Sequence, residues 1–135
     1  EVIFFQCVHE IININPNKFP SIIGNIERAK FRKSFEKWPS ILVGKAFNLE
    51  EEPYSSVIRL AERRNATIHK ESALTSLEMA RSALYLASVS SETIAKHLLG
   101  EQGFKYSKIL QKYKLEPVEM FSKVVFPESY YGHNY

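Results

Sequence analysis

The run Arg64-Asn65-Ala66-Thr67-Ile68-His69 brings a guanidinium, a carboxamide and an imidazole within six residues. A guanidinium can neutralise a phosphate through paired hydrogen bonds, and an imidazole can move a proton near neutral pH. A neighbouring carboxamide can hold the imidazole in one orientation. These are the groups needed to cleave RNA without a metal. Metal chemistry finds little support: His9, His97 and His133 lack ligand spacing, no His-Glu-x-x-His run exists, and Cys7 alone cannot build a zinc site. No glycine loop is present to cradle phosphates, so neither a metal nor a cofactor is expected. Ser34-x-x-Lys37 fits the pattern of penicillin-recognising enzymes without their other motifs, and Asn65-Ala66-Thr67 is a glycosylation sequon in mid-helix. Both are set aside as accidents.

A helix must carry the motif. Glu50-Glu51-Glu52-Pro53 suits a helix start, because the dipole favours negative charge there and proline has no N–H to leave unbonded. The helix is expected over 53–70. On a wheel of about 100° per residue, Tyr54, Val57, Ile58, Ala61 and Ile68 share one arc that also holds Asn65 and His69. Arg64 lies at its edge, about 140° from His69, while Arg59, Glu62, Arg63 and Thr67 face the other way, toward solvent. The polar pair is thus expected on a packing face, where an unpaired polar group costs about 1–3 kcal/mol. Either Asn65 and His69 satisfy each other in the core while Arg64 reaches to water, or this face meets a second subunit or lines a cleft. The angular gap favours the subunit, since a two-fold partner would bring a second Arg and His to the same place.

The remaining elements also read as helices. Residues 1–13 are dense in apolar side chains, with a buried helix preferred over a strand. After a loop at 15–20, Ser21 can cap a helix over 21–38, ended by Pro39, whose other face carries Arg28, Lys30, Arg32, Lys33 and Lys37. That basic face is either a solvated surface or a track for an RNA backbone, with Arg28, Arg32 and Lys33 as its contacts. Residues 40–53 connect to the motif helix. An amphipathic stretch through Leu74, Leu77, Ala80, Leu84, Ala87, Ile94 and Leu98 follows, with Ser88 to Ser91 as a point for a kink or break and Gly100 and Gly103 as a stop. A last helix is expected over 104–115, and the domain over 1–121, with a tail over 122–135 holding Tyr130, Tyr131 and Tyr135.

A length of 135 residues suits one domain, and 44% hydrophobic with 24% charged residues is ordinary for a globular protein. Five glycines and six prolines favour helices over a turn-rich β fold. The net charge of +3 and pI near 9.0 permit an anionic partner without requiring one. One cysteine excludes an internal disulfide framework and fits a reducing, cytoplasmic setting. The apolar run Val2-Ile3-Phe4-Phe5 is too short to span a bilayer and reads as core, so no membrane partner is expected. The chain opens on Glu1 rather than Met, so a trimmed start or a piece of a longer protein is expected.

Arg64-Asn65-x-x-x-His69 also resembles the signature of the HEPN superfamily of small helical ribonucleases and nucleotide-binding modules. The order of elements over 21–99 is similar to that family's: a basic helix, a Trp-Pro connection, a short helix closing on the motif, then a longer helix. The resemblance implies an all-α, antiparallel bundle of four to five helices, paired as a homodimer with the motifs facing each other. It implies metal-independent endoribonuclease activity that leaves a 2′,3′-cyclic phosphate, with Arg64, Asn65 and His69 as site residues. The setting would be a toxin, phage-defence or RNA-processing role. RNA, a second copy and, in a toxin pair, a nucleotidyltransferase-type antitoxin are the partners implied. Family members without activity imply the alternative, a module that binds a nucleotide, RNA or a protein partner. A plain helical interaction domain with a coincidental motif is the third reading.

Overall fold

Phe4, Cys7, Val8 and Ile12 recur at helical spacing, and their segment folds as α1 (Val2–Ile14) with all four side chains buried. The computed structural model describes residues 1–69, 76–101, 108, 112 and 115–126, with the backbone alone described at 66–69. Among these residues the chain is all-α. Besides α1 there are α2 (Pro20–Ile23), α3 (Phe31–Val43), α4 (Tyr54–His69) and α5 (Leu77–Leu99), with 3-10 turns at Ile26–Arg28 and Phe121–Lys123 and no strand. The expected helix over 104–115 falls mostly outside the described residues, as do Tyr130, Tyr131 and Tyr135. No helix among the described residues is long and apolar enough to cross a membrane. The chain divides into two compact units, Glu1–Leu49 with Ser91–Lys112 and Glu50–Ser90 with Tyr113–Tyr135.

The first unit is built on aromatic rings. Phe4 lies 5.4 Å from Phe35, 6.1 Å from Phe47 and stacked on Trp38 at 6.4 Å, and Phe35 and Phe47 are 4.6 Å apart. Such ring pairs add about 0.5–1.5 kcal/mol each beyond their buried area, which is how short α1 and α3 hold together. His97, from the last turns of α5, sets its ring edge on Phe47 at 4.7 Å and its Nε2 is 2.7 Å from the Lys45 carbonyl oxygen. An acceptor that close makes Nε2 the protonated nitrogen, so this imidazole serves packing.

The single helix expected over 21–38 is replaced by three pieces: α2, the 3-10 turn Ile26–Arg28, and α3 after extended Ala29 and Lys30. Asn25 supplies the reason. Its side-chain Nδ2 donates to the Ser21 carbonyl at 2.7 Å, taking the acceptor an α-helix would offer to the Asn25 N–H. That N–H turns instead to Ile22 O at 3.0 Å, one residue closer, which is 3-10 geometry. Nor does Pro39 end α3. An interior proline costs about 3 kcal/mol, yet Phe35, Trp38, Pro39 and Leu42 are all buried and their packing outweighs that penalty. The helix stops at Gly44, whose φ of 75° is open to glycine and whose N–H bonds the Ser40 carbonyl at 3.0 Å.

The second unit packs α4 and the first part of α5 around Met79, Leu86, Phe121 and Val124, with Val57, Leu60 and Phe126 against them. Ser76 caps α5 by accepting the Met79 N–H at 3.1 Å. The helix passes through Ser88 to Ser91 unbroken, and the Ser88 hydroxyl bonds back to the Tyr85 carbonyl at 2.9 Å. Gly100, with φ 87°, ends it. Residues 122–126, at the start of the expected tail, supply Val124 and Phe126 to this core.

Candidate functional site

α4 carries the motif at its C-terminal end, and its sides are not distributed as the hydrophobic arc suggests. Ser56 is fully buried, Val57 and Leu60 lie on the unit's core, and Asn65 falls about 140° from Leu60. Arg64 and Asn65 are both exposed. Of the two expected alternatives, a core pair does not fit, since Asn65 is on the surface of the single chain, whereas a face that meets a second subunit or lines a cleft is exposed in this way. Arg64 Nη2 donates to Asn65 Oδ1 at 3.4 Å, a long bond that ties the two side chains loosely. His69 is the last residue of α4, four positions and about 6 Å of rise beyond Asn65, at a register on the same side of the helix. Its side chain lies outside the described residues.

Two arginines expected in solvent are held in place. Arg59 donates from Nη1 to the Ser122 carbonyl at 2.5 Å and from Nη2 to the Val124 carbonyl at 3.2 Å, with its guanidinium 4.2 Å from the Phe126 ring centroid. Arg63 lies over the same ring at 4.8 Å. The helix wheel put both in water because it carried no information that residues 120–126 return to this side of α4. The consequence is chemical as well as structural, since of the arginines at 59, 63 and 64 only Arg64 presents its guanidinium on the exposed side. We expect Arg59→Ala to lower unfolding free energy by about 2–3 kcal/mol, from lost charged hydrogen bonds and a cation–ring contact. Urea denaturation would check this, and a loss under about 0.5 kcal/mol would contradict it.

At the other end of α4, the Glu52 carboxylate accepts hydrogen bonds from the hydroxyls of Ser55, Ser56 and Ser122. Ser56 Oγ in turn accepts the Ser122 N–H at 2.9 Å. Partial burial pushes the Glu52 carboxyl up, but the Ser122, Ser55 and Ser56 hydroxyls and the Lys123 charge together hold it below the usual glutamate range. With its oxygens taken up by hydroxyls, it clasps the 3-10 turn to the start of α4 and is no proton carrier. A depressed folded pKa means stability present above the unfolded value and lost as pH falls through the folded one. We expect the protein to lose a stabilising increment below about pH 4, and Glu52→Gln to be less stable than the parent at pH 7 but closer to it at pH 3. Parallel stability–pH curves for the two proteins would contradict this. The acid-then-proline helix start was legible in sequence, whereas Ser122, 70 residues away, carried no local signal.

The three residues expected to contact RNA are divided by the fold. Arg28 ends a 3-10 turn, and Arg32 and Lys33 open α3. Arg28 and Lys33 line an open depression of about 330 Å³ together with Lys30, Lys37 and the edge of Trp38. Arg32 lies outside it and pairs with Glu36 at 3.3 Å. Among the described residues no three His, Cys, Asp or Glu side chains come together as a metal site. No family model matches the chain, and no curated protein or solved structure matches it either.

Proposed function

We propose that the protein is a metal-independent endoribonuclease of the HEPN type, with a composite site formed by the motifs of two protomers. The observation that carries the reading is that Arg64 and Asn65 are both exposed, Asn65 about 140° round the helix from Leu60 of the core, with His69 one turn beyond Asn65 on its side of α4. A coincidental motif kept as a core pair would have Asn65 buried. In the reaction, the ribose 2′-oxygen attacks the adjacent phosphorus as its proton passes to a base. The bond from phosphorus to the 5′-oxygen breaks, and that oxygen takes a proton from an acid. The products are a 2′,3′-cyclic phosphate and a 5′-hydroxyl. Two copies of His69 supply base and acid, Arg64 stabilises the charge that builds on the phosphoryl oxygens, and Asn65 orients the imidazole or a phosphate oxygen.

Pairing has support on α5, the helix that follows the motif. Leu77 and Leu84, seven residues apart on one side of it, are 65% and 64% exposed. Apolar side chains at that spacing suit a helix-to-helix contact across a two-fold axis. We expect sedimentation at tens of micromolar to show a dimer and RNA cleavage to persist in excess EDTA with cyclic-phosphate ends. A monomer that leaves RNA intact would overturn the reading. The dimer without turnover would leave a binding module of the same fold, and cytoplasmic action on RNA as toxin, defence factor or processing enzyme would then lapse, along with any nucleotidyltransferase-type antitoxin.

A further inference from the structure

The basic depression of the first unit has the features of a site waiting for negative charge. Arg28, Lys30, Lys33 and Lys37 line it, and no carboxylate does. Among the described residues, none of these four cations makes an ion pair. The one acidic residue of α3, Glu36, is turned to Arg32 outside the depression. Lys33 is three residues from Lys30 and four from Lys37, spacings at which like charges repel along a helix. Lys30 and Lys33 also sit at the start of α3, where the helix dipole is positive and neither an acid nor a side-chain cap offsets it. Each of these arrangements lowers stability in the free protein, and negative charge bound along the row would relieve them together.

The geometry points to a subsite for the phosphodiester backbone of a single nucleic-acid strand. Lys30, Lys33 and Lys37 form a row along one side of α3 about 10 Å long, further than one phosphate reaches. Successive phosphates of a strand match such a row in an open depression of about 330 Å³. Beside the four cations the lining holds Asn25, Ala29, Ser34 and Trp38, and the Asn25 amide and Ser34 hydroxyl already bond backbone carbonyls, so the charged contacts go to the strand's phosphates and carry no sequence information. The subsite uses residues of the first unit alone and does not rest on the ribonuclease reading.

The test is anisotropy of a fluorescent thymidine 12-mer of DNA, which has no 2′-hydroxyl and so cannot be cleaved by transesterification. The parent should bind with an affinity that falls steeply with salt. Lys33→Gln/Lys37→Gln should weaken binding about tenfold or more and flatten the salt slope by about 1.4, at roughly 0.7 per phosphate contact on a single strand. Arg32→Gln, outside the depression, should change affinity less than about twofold. The double variant should melt no lower than the parent, because like-charge repulsion has been removed. If it fails to fold, Lys37→Gln alone should still flatten the slope by about 0.7. Adenosine triphosphate should compete only at far higher concentration; equal affinity would make the site one for free phosphates and overturn the strand. Unchanged affinity and slope in the double variant, or an equal loss in Arg32→Gln, would also overturn it.

Discussion

Replacing His69 by Ala should lower the rate of RNA cleavage by roughly 10²–10⁴-fold, the usual worth of a positioned general acid or base. The expectation rests on the place of His69 as the closing residue of α4, one turn past an exposed Asn65. In a dimer with two such imidazoles the substitution removes both base and acid, so the upper part of the range applies. The pH profile gives an independent readout. A general acid or base makes the rate depend on pH, and the part of that dependence owed to His69 should vanish in His69→Ala. The variant must also sediment as the parent does, so that lost pairing is not mistaken for lost chemistry. A His69→Ala dimer that cleaves at the parental rate would end the catalytic assignment.

Much of the fold was legible in the sequence because it rests on period and punctuation. The spacing of Phe4, Cys7, Val8 and Ile12 specifies α1, Glu52-Pro53 specifies the start of α4, and Gly100 the end of α5. What the sequence hid depends on contacts between distant residues. Nothing near Pro39 announces that Phe4 and Phe47 will make continuing α3 worthwhile. Asn25 is a different failure: its amide competes with its own backbone N–H, and a periodicity count scores side chains by polarity alone.

The candidate site divides along the same line. Residue types and the four-residue step from Asn65 to His69 were legible, since a helix fixes them locally. Whether that side is covered within the chain was not, because the apolar arc through Tyr54, Val57, Ile58, Ala61 and Ile68 fitted a core face and a subunit face equally. The core is turned to the edge of that arc, since Phe121, Val124 and Phe126 return to Val57, one of its members, and to Leu60 beside it. Their return also converted Arg59 and Arg63 from apparent surface charges into clamps on Phe126. Sequence reading ranked three nearby arginines by wheel angle, and the fold ranks them by what folds back on them.

That division makes Arg64 the sharpest single test. Arg64→Ala should reduce cleavage on the order of 10²–10³-fold by removing charge stabilisation at the phosphoryl oxygens. It should hardly move stability, because the side chain is exposed and its bond to Asn65 Oδ1, at 3.4 Å, is long. Arg63→Ala should do the reverse: it removes the contact over Phe126, lowers the melting temperature, and leaves cleavage nearly intact well below the transition. Arg64→Lys separates charge from shape. An ammonium keeps the attraction for phosphate but has no planar fork, so its rate should fall between parent and alanine. Two adjacent arginines thus give opposite signatures, one in rate and one in melting. If Arg64→Ala cleaves as fast as the parent while staying folded, the transition-state charge is stabilised elsewhere and the motif is not the active site.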